Sequence, residues 1–193
     1  MDRRKRKMIN RRTFIEIVPG FVIGGGFLTA CSDSQVHAGS GIRQLWEEPL
    51  PEEQEQVDRS RLAGVLETFA ASRYSCAESM LGSTLNILEL PDDIIHAAGA
   101  FGGGLSQGDL CGLLTGGMMA IGLANGRIHE NRADFKRAVR RDTQQYWEWW
   151  TARAPVHCDD LAKKIGCDGS GQYLRAWRRP AAFLEGIIEK SAE

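Results

Sequence analysis

The chain has 193 residues, of which 25% are charged and 42% hydrophobic, with a formal net charge of −1. This is ordinary globular composition, enough for one domain plus extensions. The charge is unevenly placed: residues 1–30 hold seven Lys/Arg and two acids, so the remainder carries 17 basic and 23 acidic side chains, a net charge of −6. An acidic remainder argues against nucleic acid as a partner.

The basic start reads as a targeting segment. Asn10-Arg11-Arg12-Thr13-Phe14-Ile15 resembles the twin-arginine export signal, with Phe two places after the paired Arg. The apolar run Ile15 to Ala30 follows, broken by Pro19, Gly20, Gly24, Gly25 and Gly26. It is too short and too weakly apolar for a transmembrane helix. It ends in Leu28-Thr29-Ala30-Cys31, which resembles the bacterial lipobox. That resemblance implies a lipidated Cys31 as first residue of the mature chain, anchored by its acyl chains at about 0.8 kcal/mol per buried methylene. The implied destination is the cell envelope: the periplasm, or the outer side of the cytoplasmic membrane. Disulfides are permitted there. The expected organisation is a signal over 1–30, a tether and arm over 31–57, and a helical domain over 58–193.

Ser32 to Gly41 is small and polar, as a flexible tether is. Ile42 to Gln56, with Trp46 and the proline-flanked Glu47-Glu48-Pro49-Leu50-Pro51, reads as an extended arm lying on the domain through Trp46 and Leu50. From Asp58 the pattern turns helical, with Leu62, Val65, Leu66, Phe69 and Ala70 spaced by threes and fours. A second helix runs from Ala77 to Leu90 and a third from Asp92 to Phe101, opened by Pro91 and two acids. A helix containing Cys111 stops near Asn125-Gly126. A fifth runs from Asn131 to Ala154 and is ended by Pro155. A short helix over Asp159 to Ile165 follows, then one or two short helices over Tyr173 to Trp177 and Ala181 to Ile188. No strand-like alternation or internal repeat is present, so the fold class is all-α, one small domain of about five to seven helices.

The centre of the chain is Gly102 to Gly126. Gly108 and Asp109 suit a helix start, which places Cys111 in the first turn, where unpaired N–H groups favour a thiolate. Gly112, Gly116 and Gly117 cost a helix about 1 kcal/mol each against Ala, so something must lie close to this backbone: another helix or a bound group. Gly112 and Gly116 are therefore candidate cofactor contacts. His96 falls on an apolar face, as a core residue does. His157 either lowers the pKa of Cys158 as a cation or is a solvent-exposed loop residue. Tyr146, Trp147 and Trp150 form an aromatic cluster, read as core, with a docking surface for a redox partner as the alternative.

Cys76, Cys111, Cys158 and Cys167 each sit near a helix end. No C-x-x-C is present, which removes the thioredoxin and zinc-ribbon signatures, and no C-x-x-C-H, which removes covalent haem. Cys76, the run Cys111-Gly112-Leu113-Leu114-Thr115-Gly116, Cys158 and Cys167 together resemble the redox-active family with a C…CGAxxG…C…C pattern (C_GCAxxG_C_C). Leu113 departs from it, standing where the motif has Ala and narrowing the space there. The resemblance covers roughly Leu62 to Ile188 and implies thiol chemistry or electron transfer at the four cysteines.

Geometry narrows the pairings. Nine residues of mostly helical chain would hold Cys158 and Cys167 about 13 Å apart, beyond the ~7 Å that a disulfide allows between Cα atoms. Each would then meet Cys76 or Cys111. Three uses of the four cysteines stay open: thiol redox with Cys111 as the low-pKa attacking thiolate, two structural disulfides in an accessory subunit, or four thiolates on one metal or iron–sulfur cluster. The partners expected are the membrane, through Cys31, and a membrane-side redox protein.

The signal motifs carry their own test. Arg11→Lys with Arg12→Lys blocks delivery to the envelope, and Cys31→Ser abolishes labelled fatty-acid incorporation, read by fractionation and by autoradiography. Unchanged delivery or unchanged acylation removes the respective motif.

Overall fold

The computed structural model describes residues 42–166 and 172–191. The segments expected to be an export signal and a tether, with Cys31, and also Cys167, lie outside the described residues.

Residues 42–50 form an irregular arm laid on the domain. Leu45 is buried and Trp46 packs against the core. The arm is pinned by the buried Arg179, which donates to both carboxylate oxygens of Glu53 (3.0 and 2.8 Å) and to the carbonyls of Arg43, Gln44 and Glu47. The arm is shorter than the sequence suggests. Pro51–Arg59 is helix α1, not extended chain. Pro51 pre-sets φ in the first turn, and Glu52 and Glu53 complement the helix start.

Helix α2 (Arg61–Ala71) is capped by Ser60, which accepts from the Ala63 N–H. Helix α3 (Cys76–Ile87) opens on a reciprocal capping box between Ser75 and Glu78. Asp92–Phe101 is a 3₁₀ helix. Helix α4 spans Gly112–Ile128, and α5 (Arg132–Thr151) starts at Asn131, whose side chain accepts from Ala133 and Asp134 N–H. Helix α6 is Cys158–Ile165. The last helix, α7, is one continuous Gln172–Ser191 rather than two short pieces, with Pro180 inside it. An interior proline costs about 3 kcal/mol. The stripe Trp177, Ala181, Leu184 and Ile188 is buried on both sides of it, and that burial offsets the loss. Among the described residues there is no strand, only an isolated antiparallel bridge between Leu110 and His157. The all-α expectation holds.

Helix α4 is the centre. It packs on α3, α5 and α7, while α2 lies against α3 and α7. Its buried residues, among them Leu113, Leu114, Gly116, Gly117, Ile121 and Asn125, run round the helix rather than along one stripe, as a central helix requires. Helix α5 has the opposite pattern. Ala138, Asp142, Tyr146 and Trp150 recur every four residues and are buried, and the rest of the helix is largely wet. Asp142 is satisfied there by Asn125 (2.8 Å), Arg141 (2.6 Å) and Ser191 (2.8 Å). Burial pushes its pKa up, but those hydrogen bonds outweigh it and hold the carboxyl below its usual range.

The glycines of α4 differ in purpose, and that yields a test. A Cβ at Gly116 would lie 2.7 Å from the Ala77 carbonyl oxygen, which belongs to backbone and cannot swing away. Nothing lies within 4 Å of a Cβ at Gly122. Gly116→Ala should therefore destabilise by about 1–3 kcal/mol through overpacking. Gly122→Ala should stabilise by up to about 1 kcal/mol through helix propensity. Urea melts of the two variants check the opposite signs.

Candidate functional site

Three helices begin beside one another, each with a cysteine at its start. Cys76 is the first residue of α3, Cys111 is the N-cap of α4, and Cys158 is the first residue of α6. Cys76 and Cys111 are buried free thiols, and Cys158 is half-buried. Glycine marks each approach. A Cβ at Gly112 would sit 2.3 Å from the Cys76 sulfur, and one at Gly104 would sit 2.7 Å from the Cys158 Cβ. The room at Gly112 and Gly116 is thus filled by α3, through Cys76, Ala77 and Met80. Of the two occupants considered for these glycines, a helix or a bound group, the structure shows the helix.

The segments bearing Cys111 and Cys158 are tied directly. The Cys111 N–H donates to the Val156 carbonyl (2.8 Å) and the Cys158 N–H to the Asp109 carbonyl (2.7 Å), on either side of the Leu110–His157 bridge. The His157 Nδ1 and Asp109 Oδ1 lie 2.9 Å apart over the same bridge, both exposed. These pairings also correct the start of α4. Residues Asp109 to Cys111 are committed to the α6 segment, so the first helical turn opens only where the Cys111 carbonyl accepts from Thr115 N–H (3.0 Å). Ahead of them, Gly103, Gly104, Leu105 and Ser106 all have φ between 57° and 63°, a left-handed turn closed by Asp109 N–H on the Gly104 carbonyl (2.9 Å). A Cβ at Gly104 would also meet the Asp109 backbone at 2.5–2.6 Å, so only glycine fits there.

The electrostatics of Cys111 reverse the sequence expectation. Its thiol is pushed up to about 12, not down. Burial is the largest cause; the neighbouring Cys76 adds to it and Cys158 adds a smaller push, while the backbone N–H groups of Leu113 and Leu114 pull the other way. The helix-start effect on which the expectation rested is present, but desolvation exceeds it. Two further groups brace the site. The buried Tyr146 hydroxyl donates to the Leu113 carbonyl (3.2 Å), and the Trp150 indole N–H donates to the Pro155 carbonyl (3.0 Å). Sequence reasoning placed both residues in the core but missed that their polar atoms reach the two cysteine-bearing segments. The four-residue spacing was the available signal.

The remaining candidates separate. Trp147 is exposed, unlike Trp150, because it lies off the buried Ala138–Asp142–Tyr146–Trp150 stripe of α5, to one side of it. His96 is exposed rather than core, near enough to Glu78 to help hold that carboxyl below its usual range, after the hydrogen bonds from Ser75. Among the described residues no three His, Cys, Asp or Glu side chains are gathered as a metal site. Cys167, the fourth thiolate of the metal reading, lies outside them. No helix among the described residues is long and apolar enough to cross a membrane.

Comparison with curated proteins and with solved structures yields no match. A family model does match, over residues 74–182, which takes in Cys76, Cys111, Cys158 and Cys167 and is more than half of the chain. On that match, and on the thiol-bearing helix starts it encloses, the chain belongs to the family described as "Putative redox-active protein (C_GCAxxG_C_C)".

Proposed function

We propose that this is an exported, lipid-anchored thiol–disulfide redox protein in which Cys158 is the entry thiol and Cys111 its buried partner. The observation that carries the reading is the graded burial of neighbouring thiols: Cys158 is half-buried, and Cys76 and Cys111 lie inside. The export and anchoring rest on Arg11-Arg12 and on Leu28-Thr29-Ala30-Cys31.

The chemistry balances as a two-electron exchange. The Cys158 thiolate attacks a partner disulfide, forming a mixed disulfide and releasing one partner thiolate. Cys111 then loses its proton and attacks the Cys158 sulfur, the Cys111–Cys158 bond forms, and the second partner thiolate leaves. The pair is oxidised and the partner reduced; the same steps reversed do the opposite. With a pKa of about 12, Cys111 is ionised to only about one part in 10⁵ at pH 7. That protects it from adventitious oxidants. A sulfur held beside it offsets the deficit, since effective molarities of about 10⁵ M or more are reached by well-placed groups.

A brief iodoacetamide pulse on the reduced chain at neutral pH should label Cys158 ahead of Cys76 and Cys111, read by peptide mass spectrometry. With oxidised glutathione, Cys111→Ser should accumulate the glutathione adduct on Cys158, whereas the parent should pass on to a Cys111–Cys158 disulfide. Faster labelling of Cys111 than of Cys158, or no disulfide joining the two, sinks the reading.

Cys111 also sets a pH dependence. Its folded pKa lies above its ordinary value of 9.0, at about 12. The unfolded chain therefore releases this proton first, and stability present below about pH 9 falls as pH rises toward 12, by up to about 4 kcal/mol. Denaturant melts of the reduced chain from pH 8 to 11 should show that slope, and Cys111→Ala should flatten it.

A further inference from the structure

We propose that Tyr146 and Trp150 are positioning residues for the Cys111–Cys158 pair, together setting how far apart the two sulfurs are held. The inference rests on the thiol-pair reading above and adds to it the device that aligns the pair.

Helix α5 is the only element that donates a side-chain hydrogen bond to both segments among the described residues. The Tyr146 hydroxyl takes the Leu113 carbonyl, two residues after Cys111. The Trp150 indole takes the Pro155 carbonyl, three residues before Cys158. The donors are four residues apart on one face, so their Cα atoms differ by about 6 Å along a rigid helix. Their rings pack at 6.4 Å between centroids. The two held carbonyls flank the Cys111 N–H bond to Val156, so backbone pairing and side-chain donors fix the same pair of segments.

A purely apolar role leaves two facts without a reason. Both side chains are fully buried, where a phenylalanine would fill space without needing a partner. Helix α4 also gives up a side chain to seat the tyrosine, since a Cβ at Gly117 would lie 2.5 Å from the Tyr146 Cε1 and 2.8 Å from its hydroxyl. The site is close enough that Cys111 adds to the effect of burial in raising the Tyr146 hydroxyl. The Leu113 carbonyl that Tyr146 holds belongs to the same first turn whose Leu113 and Leu114 N–H groups face Cys111. Fixing that carbonyl fixes the orientation of the turn, and with it the sulfur.

Disulfide formation between two thiols is governed by their effective concentration, which falls when either is loosened. Tyr146→Phe removes one oxygen and keeps the ring. The equilibrium constant of the Cys111–Cys158 disulfide against the glutathione couple should fall about tenfold, equivalent to about 30 mV. Resolution of the mixed disulfide should slow in parallel. Trp147→Phe, on the exposed face of the same helix, should leave both unchanged. Trp150→Phe should act in the same direction as Tyr146→Phe, with its melting temperature recorded alongside. A Tyr146→Phe chain with a lowered melting temperature but the parent's redox constant overturns the positioning role. A parent chain that forms no Cys111–Cys158 disulfide overturns the thiol-pair reading itself, and this inference with it.

Discussion

The close approach of α3 to the first turns of α4 is the constraint from which the rest follows. Gly112 and Gly116 present bare backbone to Cys76, Ala77 and Met80, so two helix starts lie side by side with no side chain from α4 between them. Close packing of that kind does not tolerate small changes of volume. It places the Cys76 sulfur against the backbone of α4 and commits Cys111 to an interior position. Gly117, on another side of the same helix, lets Tyr146 in from α5. Helix α4 is therefore held from both sides by contacts that need glycine, and each glycine forfeits about 1 kcal/mol of helix propensity. A helix that gives up that much in its first two turns gains position rather than intrinsic stability.

That packing decides the character of Cys111. A thiol at a helix start ordinarily gains from the unpaired N–H groups of the first turn. Here Leu113 and Leu114 supply them, yet burial and the neighbouring thiols prevail. The glycines that the sequence marks as a place of close approach are what let α3 press against this helix start. Reactivity at such a centre cannot depend on a standing thiolate at Cys111. In the proposed exchange it depends on what is brought to the sulfur, and the half-buried Cys158 at the start of α6 is the group proposed to bring it.

Much of this was legible in the sequence, and the limits have physical causes. The helices could be read because their apolar positions recur every three or four residues and because Pro91, Asn131 and Pro155 punctuate them. Three of the cysteines, Cys76, Cys111 and Cys158, stand at element boundaries, as their sequence surroundings suggest. Helix α1 was missed because its charged, proline-led sequence has little apolar periodicity; it is held by Arg179 of α7, 126 residues away from Glu53. Pro180 reads locally as a break, and only the buried stripe on both sides of it keeps α7 whole. His96 and Trp147 were assigned to the core from their neighbours, whereas exposure depends on which face the tertiary packing leaves open. The sign of the Cys111 shift needed the distance to α3, which no local pattern encodes.

The left-handed turn before α4 shows where the molecule accepts strain. Leu105 and Ser106 are not glycine, and each costs about 1–2 kcal/mol in that conformation. The turn is closed by a single backbone hydrogen bond, from Asp109 to Gly104, and its glycine presses on Cys158. A side chain at Gly104, or a right-handed course through it, would displace either the Asp109 backbone or Cys158. Strain at these residues therefore accompanies the arrangement that keeps the Cys111 and Cys158 segments paired through Leu110 and His157. Backbone strain tends to persist where the surroundings over-determine it, and functional sites are where such over-determination concentrates. Here it comes from three directions: the paired backbones, the glycine contact and the two α5 donors. All three bear on the same two cysteines.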